Sequence, residues 1–249
     1  MHPKKKWGQN FLRNRAAVEK IVAAIEPEPG EVIVEIGPGE GVLTEKLVTL
    51  GHEIVAIEID PELAQRLRQR FGDIIVNADA LAAPLPARPF RAVGNLPYNV
   101  GTPILRRVIG DPNFRRAVFM LQKEVADRLV AKPGSEQYGY LTLYRQLFAT
   151  ARILMTLEPG SFHPRPKVRS AVVVLDADRK PYASEELLNL ISAAFRMRRK
   201  KLVNNLTRYG SREAVTEILR RADVDPNARA EDLPLEAFVR IAAHFRRPV

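Results

Sequence analysis

Seven short apolar, β-branched runs punctuate the first part of the chain, at residues 32–36, 54–58, 73–76, 91–94, 117–121, 151–157 and 171–175. Their lengths suit strands, and turn residues bound them. Helix-period segments lie between. Residues 42–50 place Val42, Leu43, Leu47, Val48 and Leu50 at helical spacing, and Asp60 before Pro61 reads as cap and first-turn proline of a helix running to Phe71. Alternating strand and helix predicts an α/β fold with a sheet parallel through its first strands. The Pro-rich connection 158–169 has no room for a crossover helix, so the last two runs should form an antiparallel pair at one edge.

The pattern changes after about residue 178. Leu187, Leu188, Ile191 and Phe195 form one helical stripe, and Val215, Ile218 and Leu219 another, with no strand among them. Residues 176–181 read as a linker. The expected organisation is a sheet domain over 1–177 and a small all-helical domain over 184–249.

The strongest chemical signal follows the first run, where the chain reads Gly37, Gly39, Gly41 before a helix. Bare backbone there lets a ligand approach closely. Val42 stands where the dinucleotide fingerprint needs glycine, which argues against a pyrophosphate grip. Glu58 ends the next strand, where a carboxylate can accept from both hydroxyls of a ribose; the alternative is an acid beside a helix cap. Asp79 follows the third strand and suits either an adenine amine or a plain turn. Open α/β sheets bind ligands at the carboxyl ends of their strands.

After the fourth strand come Asn95, Leu96, Pro97 and Tyr98. This is a turn by composition, and it also has a chemistry. The amide oxygen of Asn95 and the carbonyl of Pro97 could accept both N–H bonds of an adenine amine and aim its lone pair at a sulfonium methyl. Tyr98 offers a ring for base stacking. Phe162, in the proline-rich connection, is either a second stacking ring or an aromatic plug at the domain's edge.

Charge adds a partner. The net charge is +10, from 39 Lys and Arg against 29 Asp and Glu. Residues 1–20 carry 6 − 1 = +5 and residues 179–249 carry 15 − 9 = +6, which leaves 10 − 5 − 6 = −1 for the middle. Two basic arms around a near-neutral centre fit a polyanion gripped at both ends. Lys4, Lys5 and Lys6 lie in one arm; Arg196, Arg198, Arg199, Lys200 and Lys201 lie in the other, read either as phosphate contacts or as a solvated helix end. There is no cysteine, and the four histidines have no metal-ligand spacing, so no metal is expected. No signal peptide or membrane span is legible, and a cytoplasmic protein is the expectation.

Five segments together, 8–12, 34–44, 95–99, 162–168 and 195–206, resemble the bacterial small-subunit (16S) ribosomal RNA adenine N6-dimethyltransferases, in that family's order and across nearly the whole chain. The resemblance implies a class I S-adenosylmethionine-dependent methyltransferase: a Rossmann-like seven-stranded sheet, its last strand antiparallel, with a C-terminal helical domain that chooses the RNA. It implies transfer of two methyls to each of two adjacent adenosines in a hairpin loop near the 3′ end of 16S rRNA, within the 30S particle. A role in subunit biogenesis and a monomeric state are further expectations, although the sequence itself does not give the oligomeric state. Carried over, Asn10, Leu12, Gly37, Glu58, Asp79 and Asn95 would contact the cofactor or close its pocket, with Gly39 in the same turn; Asn95, Pro97, Tyr98 and Phe162 would hold the adenine. Two positions depart from the pattern: Ala78 precedes Asp79, and Arg169 follows Val168 where Asp is more usual. Two other readings stand beside this one: an assembly factor acting mainly by binding, and a methylase of the large-subunit RNA.

Overall fold

The computed structural model describes residues 10–197 and 200–245. In chain order the elements are β1 (Phe11–Leu12), α1 (Arg15–Ala23), β2 (Val32–Ile36), α2 (Thr44–Leu47), β3 (Glu53–Glu58), α3 (Pro61–Phe71), β4 (Ile75–Asn77), β5 (Phe90–Asn95), α4 (Gly101–Gly110), β6 (Phe114–Gln122), α5 (Lys123–Val130), α6 (Tyr140–Phe148), β7 (Ala149–Leu157), β8 (Phe162–His163) and β9 (Ser170–Ala177). The helices α7 (Glu185–Ala194), α8 (Leu202–Asn205), α9 (Arg212–Arg221) and α10 (Leu235–Phe245) complete it.

Seven strands form one sheet in the order β4-β3-β2-β5-β6-β9-β7. The pairs from β4 to β6 are parallel, and β9 runs antiparallel to β6. The last two predicted runs are β7 and β9, neighbours at one edge. Alternate residues of the strands, Val118 and Met120 on β6, Val172 and Val174 on β9, join Val18, Ile21 and Ile25 from the region of α1 in one buried cluster. This is the period of two expected where one sheet face meets a helix. Asp60 caps α3 as its sequence suggests, accepting from Glu62 N at 3.0 Å, with Pro61 at the first position. The helix predicted over 42–50 is shorter: one α-turn from Thr44, then a 3-10 turn ending before Gly51 in the left-handed region.

Two features hold the strand ends that matter here. Gly94, the penultimate residue of β5, lies so close to β2 that a Cβ on it would stand 2.3 Å from the carbonyl oxygen of Ile36. Secondly, β1 pairs antiparallel with β8, Phe11 opposite His163 and Leu12 opposite Phe162. This two-stranded ribbon, absent from the sequence reading, brings the segment at Asn10 back to the sheet.

The chain divides into two compact units, but not at one point. One unit takes residues up to Ala126 together with Thr150–Ala177; the other takes Asp127–Ala149 together with residues from Asp178 onward. The expected boundary at 177 is close to the second break, while residues 127–149 belong with the helices. Physical contacts within the second unit explain this. Tyr138 is fully buried, its ring meets Phe195 edge-on at 6.2 Å, and its hydroxyl donates to Leu233 O at 2.8 Å. The stretch read as a linker is in part bound structure: Asp176 and Ala177 close β9, while Asp178 N and Lys180 N donate to Phe148 O and Leu147 O. Among the described residues no helix is long and apolar enough to cross a membrane, and no cluster of His, Asp and Glu could hold a metal ion.

Candidate functional site

The parallel strands β2, β3 and β5 end side by side, and a cavity opens at their carboxyl ends. Its lining is Asn10, Phe11, Gly37, Gly39, Glu58, Ile59, Asn95, Leu96, Pro97 and Tyr98. Five residues predicted from separate motifs, Asn10, Gly37, Gly39, Glu58 and Asn95, therefore meet in one place, with Pro97 and Tyr98 beside them.

Gly37 and Gly39 both take positive φ, 68° and 60°. The turn is pinned at its entrance by Gly37 N donating to Ile57 O at 2.9 Å. A side chain on Gly39 would meet the ring of Phe11 at 3.0 Å, so the glycine leaves room for that ring. Glu58 is buried at the end of β3, and its two oxygens accept from Gly39 N (3.1 Å) and Asp60 N (2.9 Å). Burial raises its carboxyl above the ordinary value, and those backbone donors oppose the rise. The Ile59 N–H also lies against the carboxylate, so three backbone donors face its four lone-pair sites and one is left for a hydroxyl donor.

Asn95 donates through Nδ2 to Asn10 O at 2.6 Å. That fixes the amide's orientation and leaves Oδ1 as an acceptor. Tyr98 is half-buried; its hydroxyl and that of the buried Ser170 share a hydrogen bond of 2.8 Å, which sets the ring's tilt. Burial raises the Tyr98 phenol above its ordinary value, so it stays neutral at physiological pH.

Four expectations meet a different geometry. The carbonyl of Pro97 already accepts from Gly101 N (2.7 Å) and Val100 N (3.2 Å), closing the turn into α4, so both of its lone pairs are committed. The carbonyl of Leu96, one residue earlier on the same cavity wall, accepts no backbone hydrogen bond among the described residues. Phe162 is 3% exposed in the apolar cluster beneath the ribbon and does not line the cavity. It is the plug of the two alternatives. Leu12 packs in that same cluster, and Phe11 takes the place on the cavity. Asp79 is exposed and closes its own turn, accepting from Leu81 N at 2.8 Å, so it too lies off the cavity lining.

Residues that sequence reasoning passed over complete the site. Glu35, on β2, accepts from Thr44 Oγ1 at 2.7 Å, and this buried bond ties the strand before the glycine turn to the helix after it. Burial pushes the Glu35 carboxyl up to about 7, with the nearby Glu58 charge adding to the rise. Asn77 Nδ2 donates to Glu58 O at 2.8 Å. Arg13 pairs with Glu40 of the glycine turn at 2.7 Å, a link between the ribbon segment and the loop. Of the basic residues named above, Arg196, Lys200 and Lys201 are exposed, and Lys201 Nζ donates to Asn227 Oδ1 at 2.8 Å. Lys4, Lys5, Lys6, Arg198 and Arg199 lie outside the described residues.

Comparison with known proteins follows this geometry. The family model for ribosomal RNA adenine dimethylase matches residues 1–247. The chain is 41% identical to a ribosomal RNA small subunit methyltransferase A of Hahella chejuensis, over 96% of this chain and 91% of that one. It is also 41% identical to the protein of that name from Methylococcus capsulatus, over 95% of each. Among solved structures, a dimethyladenosine transferase from Plasmodium falciparum aligns with a TM-score of 0.82 at 25% identity, covering 93% of this chain and 95% of that one. The 23S rRNA methyltransferase ErmE aligns with a TM-score of 0.71 at 27% identity, over 96% of this chain and all of that one.

Proposed function

Because the chain belongs to the ribosomal RNA adenine dimethylase family, we propose that the turn from Asn95 to Tyr98 presents the exocyclic amine of an adenine in small-subunit ribosomal RNA for methylation. The chain is an S-adenosylmethionine-dependent methyltransferase that dimethylates ribosomal RNA adenine. The substrate is 16S rRNA in the small subunit or its precursor, with two adjacent adenosines of a hairpin loop near the 3′ end each modified twice.

The residues of the cavity fit the cofactor. Gly37 and Gly39 offer bare backbone, and Glu58 presents a buried carboxylate that can accept from a ribose hydroxyl. When bound, the cofactor supplies an electrophilic methyl on a sulfonium. The protein's own work is positioning. Asn95 Oδ1 accepts one N–H of the adenine amine and the Leu96 carbonyl accepts the other. Two acceptors on one nitrogen favour its pyramidal form and free the lone pair that the ring otherwise delocalises. Tyr98 stacks on the base, an interaction of ~1–3 kcal/mol, and the Ser170 hydroxyl holds that ring in place. No strong base is needed, since the methylated nitrogen carries an acidic proton that leaves to water. Catalysis by orientation and a preorganised polar site accounts for the rate. A base in a paired stem must leave the stack first, and a loop base need not. The helical unit, with Arg196, Lys200 and Lys201 exposed, serves as the RNA-binding part.

One observation carries this reading: Asn95 is held by Asn10 through its amide nitrogen, so the oxygen is the atom left to receive a donor. Replacing Asn95 with Ala should lower kcat on unmodified small subunits about 10²–10³-fold, while particle binding stays within a few fold. Activity equal to wild type would remove Asn95 from the chemistry.

A further inference from the structure

We propose that the loop joining β7 to β9 carries a phosphate-binding edge for the RNA backbone beside the target nucleotide, formed by Lys167 and Arg169 next to Lys123. It rests on the adenine-methylating reading above and adds the path of the strand around the slot.

The middle of the chain is nearly neutral in sum, yet its charge is not evenly spread. Residues 159–175 hold Arg165, Lys167 and Arg169 and no Asp or Glu. All three cations are exposed. Lys167, Val168 and Arg169 line an open cleft whose other walls include Lys123, Glu124 and Glu158. Three cations face two acids there, and Arg165 is exposed two residues before Lys167. The cationic side is therefore the loop, not the opposite wall.

The loop is built to hold these groups still. Pro159, Pro164 and Pro166 restrict its backbone. Its far end is pinned by Lys123 N donating to Arg169 O at 2.9 Å. At its near end β8 pairs with β1, the ribbon that seats Asn10 against Asn95. The next residue after Arg169 is Ser170, bonded to the Tyr98 hydroxyl. One residue thus separates the wall of the base slot from the cationic edge. On this proposal, a nucleotide whose base stacks on Tyr98 runs its neighbouring phosphates along that edge.

The chemistry selects a nucleic acid strand over a free anion. Val168 is 46% exposed between the two cations, an apolar surface suited to a sugar or base rather than to a small ion. Arg169 can grip phosphate oxygens in a fork, and Lys167 can act as a point charge.

The test is the salt dependence of binding to unmodified small ribosomal subunits, with wild type, Lys167→Ala, Arg169→Ala, the double variant, and the swaps Lys167→Arg and Arg169→Lys. Each alanine should weaken binding roughly threefold near physiological salt and flatten the log K against log salt slope by about 0.7–0.9. The double variant should show both losses together, and the swaps should keep wild-type slopes. Affinity for S-adenosylmethionine, measured by calorimetry, should not move in any of them. A steep wild-type slope shared unchanged by the alanine variants overturns the phosphate edge and leaves the adenine reading standing. A wild-type protein with no salt-dependent affinity for these particles overturns both.

Discussion

Glu35 shows how one residue near the cofactor cavity trades stability for order. It is 1% exposed, and its carboxyl has been pushed from an ordinary 4.5 up to about 7. Between those values the native state holds a proton that the unfolded chain gives up. Stability therefore falls as pH rises through that window and levels off above it, with a component on the order of 3 kcal/mol. Gln keeps an oxygen for Thr44 Oγ1 and cannot ionise. Denaturant unfolding of Glu35→Gln should thus show a shallower decline between pH 5 and 7 and a more stable protein at pH 8. An unchanged slope would show that Glu35 is not the group responsible. At this scale the sequence revealed residue types better than directions. Asn95, Gly37 and Glu58 were legible because motif spacing places them at strand ends. Leu12 was not, because side chains alternate across a strand and a two-residue β1 gives no periodicity to say which of the two buried residues, Phe11 or Leu12, faces the cavity. The Pro97 carbonyl was misread for a related reason: the hydrogen bonds that open α4 consume it.

Among elements, the ends of β2 and β5 matter most, because they set the distance between the glycine turn and Asn95. Gly94 permits that approach. An alanine there would place a methyl 2.3 Å from Ile36 O, and backbone cannot move aside as a flexible side chain can. Gly94→Ala should lower stability by roughly 1–3 kcal/mol and weaken cofactor affinity, read by thermal unfolding and calorimetry. Wild-type values in both would mean that the strands part without cost. All seven sheet strands were legible as apolar runs: the central β2, β5 and β9 because strands buried on both faces are near-continuous in composition, and the edge strands β4 and β7, which are largely exposed or half-buried, because their β-branched residues and bounding turns mark them. The ribbon of β1 and β8 was not, because it joins two dipeptides far apart in the chain and pairing of that kind leaves no local pattern. The helices α4 and α6 also went unread. Their buried stripes, Ile104, Leu105, Val108 and Ile109 in one and Leu143, Tyr144, Leu147 and Phe148 in the other, do keep helical spacing, but each spans barely two turns.

For the molecule as a whole, the charge and periodicity patterns predict two units, and the contact pattern moves their boundary. The helical unit is not simply the C-terminal tail; residues 127–149 are part of it, held by Tyr138 and by backbone bonds from 178 and 180 to α6. A chain that leaves one unit and returns cannot be divided by reading periodicity from one end to the other. Charge also recurs inside the sheet unit at Arg165, Lys167 and Arg169, where the near-zero sum of the middle concealed it. The central claim is that the turn at Asn95 aims an adenine amine of small-subunit RNA at the cofactor's methyl. Its most direct test is to incubate the protein with methyl-labelled S-adenosylmethionine and unmodified small and large subunits, then map the label by nuclease digestion and mass spectrometry. The account predicts two methyls on the exocyclic nitrogen of each of two adjacent adenosines near the 3′ end of the small-subunit RNA. Label confined to large-subunit RNA, or to any atom other than an adenine exocyclic nitrogen, would contradict it.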